Sequence, residues 1–167
     1  MSAAAGMNRE KEAIKMKELV IRQAVPKDAE AIARLEKLCF SEPWSYDSIY
    51  HELAANRRAF YLAADLCGRL VGYAGLWLIG DEGHITNVAV DPQERGRGIG
   101  DLLVGALIED SRRLGAVSHT LEVRTGNAAA ISLYEKHGFA AAGVRPGYYE
   151  DNGEDAIIMW RKQDHER

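Results

Sequence analysis

A chain of 167 residues has the size of one domain, and a domain of that length buries roughly 70% of the surface its unfolded form exposes. Its 47% apolar and 28% charged residues are the proportions of an ordinary globular protein, which excludes a disordered or fibrous chain. A net charge of −4 argues against direct binding of nucleic acid, and no run approaches the roughly 20 apolar residues that span a bilayer, so no membrane partner is expected.

The chain opens on a polar, alanine-rich stretch, 1–17, without the apolar centre of a secretory signal. It reads as a poorly ordered extension of a cytoplasmic protein, ahead of one domain over 18–163 and a tail at 164–167. The two cysteines, Cys39 and Cys67, lack metal or framework spacing and fit free thiols in a reducing compartment. "ELVIRQA" (18–24) has strand character. Pro26 and Asp28 then open a helix in which Ile32, Leu35, Leu38 and Cys39 follow helical spacing. "FSEPWS" (40–45) breaks it, since Pro43 disfavours helix at the residue before it, and Ser45 is placed to cap a second helix over 46–55.

Strands are expected at 59–66 and 69–79, joined by a tight turn at Cys67-Gly68, and again at 84–90. A helix over 99–114 sets Ile99, Leu102, Leu103 and Ala106 on one face and ends at Gly115. A strand over 116–124 turns Val117, Leu121 and Val123 one way and Ser118, Thr120, Glu122 and Arg124 the other. A helix at 127–137, closed by Gly138, and strands at 139–144 and 155–160 complete the chain. The order β-α-α-β-β-β-α-β-α-β-β fits an α/β or α+β layer built on one mixed sheet.

The stretch "AVDPQERGRGIGDLL" (89–103) sets three glycines and two arginines at the mouth of a helix. The glycine spacing is not that of a dinucleotide fingerprint, and no Walker lysine follows. The first amides of a helix have no internal partners and face the positive end of its dipole. Glycines let a phosphate approach them, and Arg95 and Arg97 add countercharge. Taken alone, the stretch fits either a phosphate cradle or a surface turn that caps the helix. Glu122 alone is equally one charge on a solvated strand face, Tyr134 a core aromatic, and Asn127 a helix cap.

"NVAVDP" with "ERGRGIG", and "LEVRTGNAAAISLYEKHGF" at 121–139, resemble the two signatures of the GCN5-related N-acetyltransferases (GNAT). Arg95-x-x-Gly98-x-Gly100 fits the acetyl-CoA motif of that superfamily, and the resemblance runs over about 18–162. Within it, "PWS" at 43–45, "NVAVDP", "LEVR", "NAAA" and "YY…GEDAIIM" look like the bacterial ribosomal-protein-alanine N-acetyltransferase group. The resemblance implies a mostly antiparallel mixed sheet with a splayed parallel strand pair, flanked by helices. It implies acetyl-CoA as co-substrate, held by backbone groups of Val88, Ala89 and Val90, by the turn Arg95, Gly96, Arg97, Gly98, Ile99, Gly100 and Asp101, and by Asn127 and Tyr134. Glu122 then stands as proton acceptor and Tyr134 as the acid that protonates the leaving thiolate. Pro43, Trp44, Tyr148 and Tyr149 would contact the substrate, the N-terminal alanine of a small-subunit ribosomal protein.

That chemistry is plausible at neutral pH because an α-amine has a pKa of about 7.7–8.0, against about 10.4 for lysine. A carboxylate base is therefore more nearly adequate for a chain terminus. The five histidines show no ligand spacing, so no metal is expected, and His84, on the strand before the gap, reads foremost as a plain strand position and otherwise as a residue facing the substrate. A monomer is the expected state. Two other readings stand beside this one: a GNAT enzyme of a small amine such as a polyamine or aminoglycoside, and a non-catalytic acetyl-CoA-binding module. Retention of both Glu122 and Tyr134 argues against the second, and the tyrosine pair with "PWS" against the first.

Overall fold

The computed structural model describes residues 17–162, together with Gly6 and Asn8. The expected extension at 1–17 and tail at 164–167 therefore lie almost wholly outside the described residues. Strand β1 (Leu19–Gln23) leads through a short 3-10 turn into helix α1 (Ala29–Cys39). Helix α2 (Tyr46–Ala54) follows, its start fixed by the Ser45 hydroxyl, which accepts from the Ser48 amide at 3.1 Å. Strands β2 (Ala59–Leu66), β3 (Arg69–Ile79) and β4 (Glu82–Val90) form an antiparallel meander. Then come α3 (Ile99–Arg113), β5 (Ser118–Arg124), α4 (Ala128–Lys136), β6 (Ala140–Arg145) and β7 (Ala156–Lys162).

The seven strands make one sheet in the order β1-β2-β3-β4-β5-β7-β6. Every neighbouring pair is antiparallel except β4–β5, which is parallel and joined by only three residue pairs, Glu82–Ser118, Gly83–His119 and His84–Thr120. Beyond His84 the two strands part. A bulge helps to turn β4 away there: Gly75 of β3 faces Asn87 and Leu76 faces Ile85, which leaves Thr86 as the extra residue. The Thr86 hydroxyl donates to the Gly75 carbonyl at 3.3 Å. Gly75 itself is dictated by packing, since a Cβ there would lie 2.2 Å from the Tyr61 ring.

Two apolar layers cover the sheet. Ile99, Leu103, Val104, Leu107 and Ile108 of α3 pack with Tyr134 and Phe139 on one face. Ala29, Ile32, Ala33 and Leu35 of α1 and Ile49 of α2 pack against Tyr61, Tyr73 and Ala89 on the other. Three expectations are corrected. Leu102 is 50% exposed rather than core, because the seam of α3 runs through Leu103, Leu107 and Ser111. Val117 is also exposed, since β5 begins one residue later, and buried His119 takes the inward place beside Leu121 and Val123. Leu38, on the outer side of α1, is exposed as well.

Candidate active site

The parting of β4 and β5 opens a cleft of about 770 Å³. Val88 and Val123 line its two lips, Asn127, Ala130 and Tyr134 of the α4 region its floor, and Trp44, Tyr148 and Tyr149 its outer end. The lip of β4 is polar by construction. Asp91 donates its amide to the Val71 carbonyl at 2.8 Å, so strand alternation turns Ala89 toward β3 and Val88 and Val90 toward the gap. Ala89 is thus removed from the set of backbone groups facing the gap. The Val90 carbonyl is already engaged, by Arg95 Nε at 3.2 Å and the Cys39 thiol at 3.4 Å. Val88 keeps the open edge.

Beyond Val90 the chain makes the turn into α3. Gly98 occupies the helix cap in the left-handed region (φ 80°), and a Cβ on Gly96 or Gly98 would meet nothing within 4 Å. The space beside these two glycines is therefore open, at the amino end of a fifteen-residue helix. Ile99 is buried in the core and anchors this end. Gly100 lets α3 close on α4, its Cβ position lying 3.4 Å from Leu133. The charged residues of the turn are less open than their sequence suggests. Arg97 pairs at 3.0 Å with Glu94, which also holds Arg69 at 2.5 Å. Asp101 is held by Lys136 at 3.0 Å and His137 at 2.8 Å, a brace between α3 and α4. Asn127 caps α4, accepting from the Ala130 amide at 3.1 Å.

Glu122 points into the cleft from β5, and its partner is His84, for which a plain strand position was the favoured expectation. His84 Nε2 lies 2.8 Å from Glu122 Oε2, at the last rung before the strands separate, while Arg145 stands 3.6 Å from Oε1. The hydrogen bond from His84 holds the Glu122 carboxyl below the usual carboxylate range, and the same bond raises His84 above the ordinary histidine value. Tyr134 is buried, packed edge-on against Phe139 with centroids 5.8 Å apart, yet its ring reaches the cleft floor. Burial pushes its phenol far up, so it keeps its proton.

At the outer end, Trp44 lines the cleft, whereas Pro43 lies on an outer groove with Trp77 and is not part of the cleft wall. The Trp44 amide donates at 3.0 Å to Glu36, a fully buried carboxylate that also accepts from the Tyr73 hydroxyl and from Asn87 Nδ2 at 3.2 Å. Burial raises the Glu36 pKa, against the pull of those three donors. Tyr148 is exposed and meets Tyr149 edge-on at 5.0 Å. Burial pushes the Tyr149 phenol up to about 12.

The sequence comparisons fit this architecture. The acetyltransferase (GNAT) family model matches residues 29–139. The chain belongs to the GNAT acetyltransferase family. Among its GNAT relatives, a Bacillus subtilis protein named as a ribosomal protein bS18-alanine N-acetyltransferase is 41% identical over 140 residues, 84% of this chain and 93% of its own. The crystal structure of the ribosomal-protein-S18-alanine N-acetyltransferase from Escherichia coli superposes with a TM-score of 0.81 at 32% identity, covering 89% of this chain and 96% of that one. A more distant GNAT structure, the PaiA N-acetyltransferase from Thermoplasma acidophilum in complex with coenzyme A, shares the fold at 19% identity and a TM-score of 0.74, covering 86% of this chain and 98% of that one.

Glu36 and Arg124 line the cleft although motif reading gave them no role, and His84, read foremost as a plain strand position, stands beside it bonded to Glu122. Each could have been suspected as a charged or titratable residue inside an apolar pattern. The pairing of His84 with Glu122 spans 38 positions, however, and depends on the parallel register of two strands.

Proposed function

We propose that this chain transfers the acetyl group of acetyl-CoA to the N-terminal α-amine of a protein, with an alanine-initiated small-subunit ribosomal protein as substrate. The observation that supports it best is that Glu122 and Tyr134 line one cleft where β4 and β5 diverge, with His84 bonded to Glu122 at the point of divergence. The open turn at Gly96–Gly98 suits a diphosphate, and the gap beside Val88 suits an extended arm that bonds as a strand does. The relatives named for alanine N-acetylation supply the substrate class.

Acetyl-CoA, when bound, supplies an activated acyl carbon on a thiol leaving group. The protein's own groups manage the protons. Glu122 alone, with its pKa lowered, is a weak base; paired with His84 it shares a proton site whose affinity lies nearer that of an α-amine. The pair takes the proton that the amine loses as the nitrogen–carbon bond forms. Tyr134 gives its proton to the departing sulfur as the carbon–sulfur bond breaks, and burial keeps the phenol protonated until that step. The Val88 amide, facing the gap, is placed to donate to the acyl oxygen. Trp44 and Tyr149 bound the acceptor end, and a small first side chain fits such an enclosure better than a large one.

The test offers acetyl-CoA to the purified chain with N-terminal peptides, peptides whose only amine is a lysine, and polyamines, and reads acetylation by mass. Acetylation of the α-amine of alanine-initiated peptides is the expected outcome. Modification of polyamines or lysine side chains alone overturns the proposal.

A further inference from the structure

We propose that Arg124 is a positioning residue for the peptide substrate: it holds the two loops at the acceptor end of the cleft in shape, acting through Tyr149 and Asp151 rather than on the reacting atoms. The inference rests on reading the cleft as a peptide site. The segment between β6 and β7, residues 146–155, carries four carboxylates: Glu150, Asp151, Glu154 and Asp155. Their mutual repulsion favours spread conformations unless a cation gathers them. Arg124 gathers two of them, Asp151 and Glu154, with its guanidinium. One terminal nitrogen donates to Asp151 Oδ2 at 2.8 Å, and the other donates to Asn152 Oδ1 at 3.2 Å and Glu154 Oε1 at 3.3 Å. Its flat face meanwhile lies 3.9 Å from the centre of the Tyr149 ring. Planar donation and stacking at once are tasks that lysine cannot combine.

The network does not stop at one loop. Asp151 Oδ2 also accepts from the Ser41 hydroxyl at 2.5 Å, which links the α1–α2 loop to the β6–β7 loop. Glu154 Oε2 accepts from the Gly126 amide at 2.8 Å, which fastens the far end to the turn between β5 and α4. Arg124 is the last residue of β5 and stands two places after Glu122 on the same face of the strand. The loops that would receive a peptide are thereby fixed relative to the strand that presents Glu122. The network is built from residues 41, 124, 126, 149, 151, 152 and 154, none of which belongs to the turn at Gly96–Gly98, so the two ends of the cleft can be mutated separately.

The experiment measures peptide and acetyl-CoA kinetics of the full chain, with an alanine-initiated peptide, for wild type, Arg124→Gln, Arg124→Lys and Asp151→Asn. Arg124→Gln is expected to raise the peptide KM about tenfold, with kcat within about twofold and acetyl-CoA affinity unchanged. Arg124→Lys retains the charge without the fork or the stack and does not restore the KM. A wild-type peptide KM in Arg124→Gln, or a loss confined to kcat or to acetyl-CoA binding, overturns the proposal. Should Arg124→Gln fail to fold, Asp151→Asn and the exposed Ser41→Ala test the same network, and peptide KM values equal to wild type in both overturn it. A wild-type chain that acetylates no peptide at all overturns the underlying functional reading, and this one with it.

Discussion

His84 shows how a residue's meaning depends on its neighbour across the sheet. In sequence it is one histidine in "GHITNVAV", on the strand before the gap, with nothing to name Glu122 as its partner. In the fold it shares a proton with Glu122, and the consequences for activity and stability run in opposite directions along the pH scale. Proton uptake needs the pair unloaded, so the acid limb of kcat is expected to have its midpoint above the ordinary histidine value of about 6.5. His84→Gln should move that limb to lower pH, and Glu122→Gln should cut kcat by roughly a hundredfold or more. A limb unchanged in His84→Gln removes His84 from the proton path. Stability follows the opposite rule. Glu122, depressed, stabilises above its unfolded value of about 4.3, while His84, raised, stabilises fully only below about 6.5 and loses this as pH rises through its folded value. The gap between wild type and His84→Gln in urea midpoints is therefore widest between those two values and narrows on either side.

Elements were easier to read than their faces. Pro26, Ser45, Cys67-Gly68 and Gly138 punctuate the chain chemically, and the helices and strands they bound lie within a few residues of the places their sequence indicates. What local pattern did not convey is which side of an element becomes interior. Leu102 belongs to the apolar spacing of α3 as much as Leu103 does, yet only the latter meets the sheet. The turn ahead of α3 was legible for a different reason: its glycines answer to backbone geometry, which does not depend on distant partners. Gly98 sits at φ 80° with open space beside it. Gly98→Val should cost about 1–2 kcal/mol of stability through the left-handed backbone, and a larger share of acetyl-CoA affinity by filling the side that a phosphate would approach. Calorimetric titration with acetyl-CoA checks this, and undiminished affinity would remove the turn from the binding site. Arg97 and Asp101 were harder to place, because their partners, Glu94 and the Lys136–His137 pair, decide where their charge is spent.

At the scale of the whole molecule, the order of elements was enough to anticipate a mixed sheet, while its one parallel pair was anticipated only through the resemblance that the two signature stretches carry. The clasp of loops around Arg124 was not anticipated, since it joins residues 41, 124, 149 and 151–154 through side-chain geometry alone. One further property follows from the seam between β4 and β5. Three rungs, from Glu82–Ser118 to His84–Thr120, and the bond from the Val117 amide to the Asp81 carbonyl at 2.8 Å stitch the four-stranded half of the sheet to the three-stranded half. One apolar layer spans both halves, and a guest lying along the gap would serve as the missing rungs. Deuterium uptake at Val88 on one lip and at Val123 on the other should then fall together when acetyl-CoA is added, making the reagent a temporary piece of the scaffold that positions it.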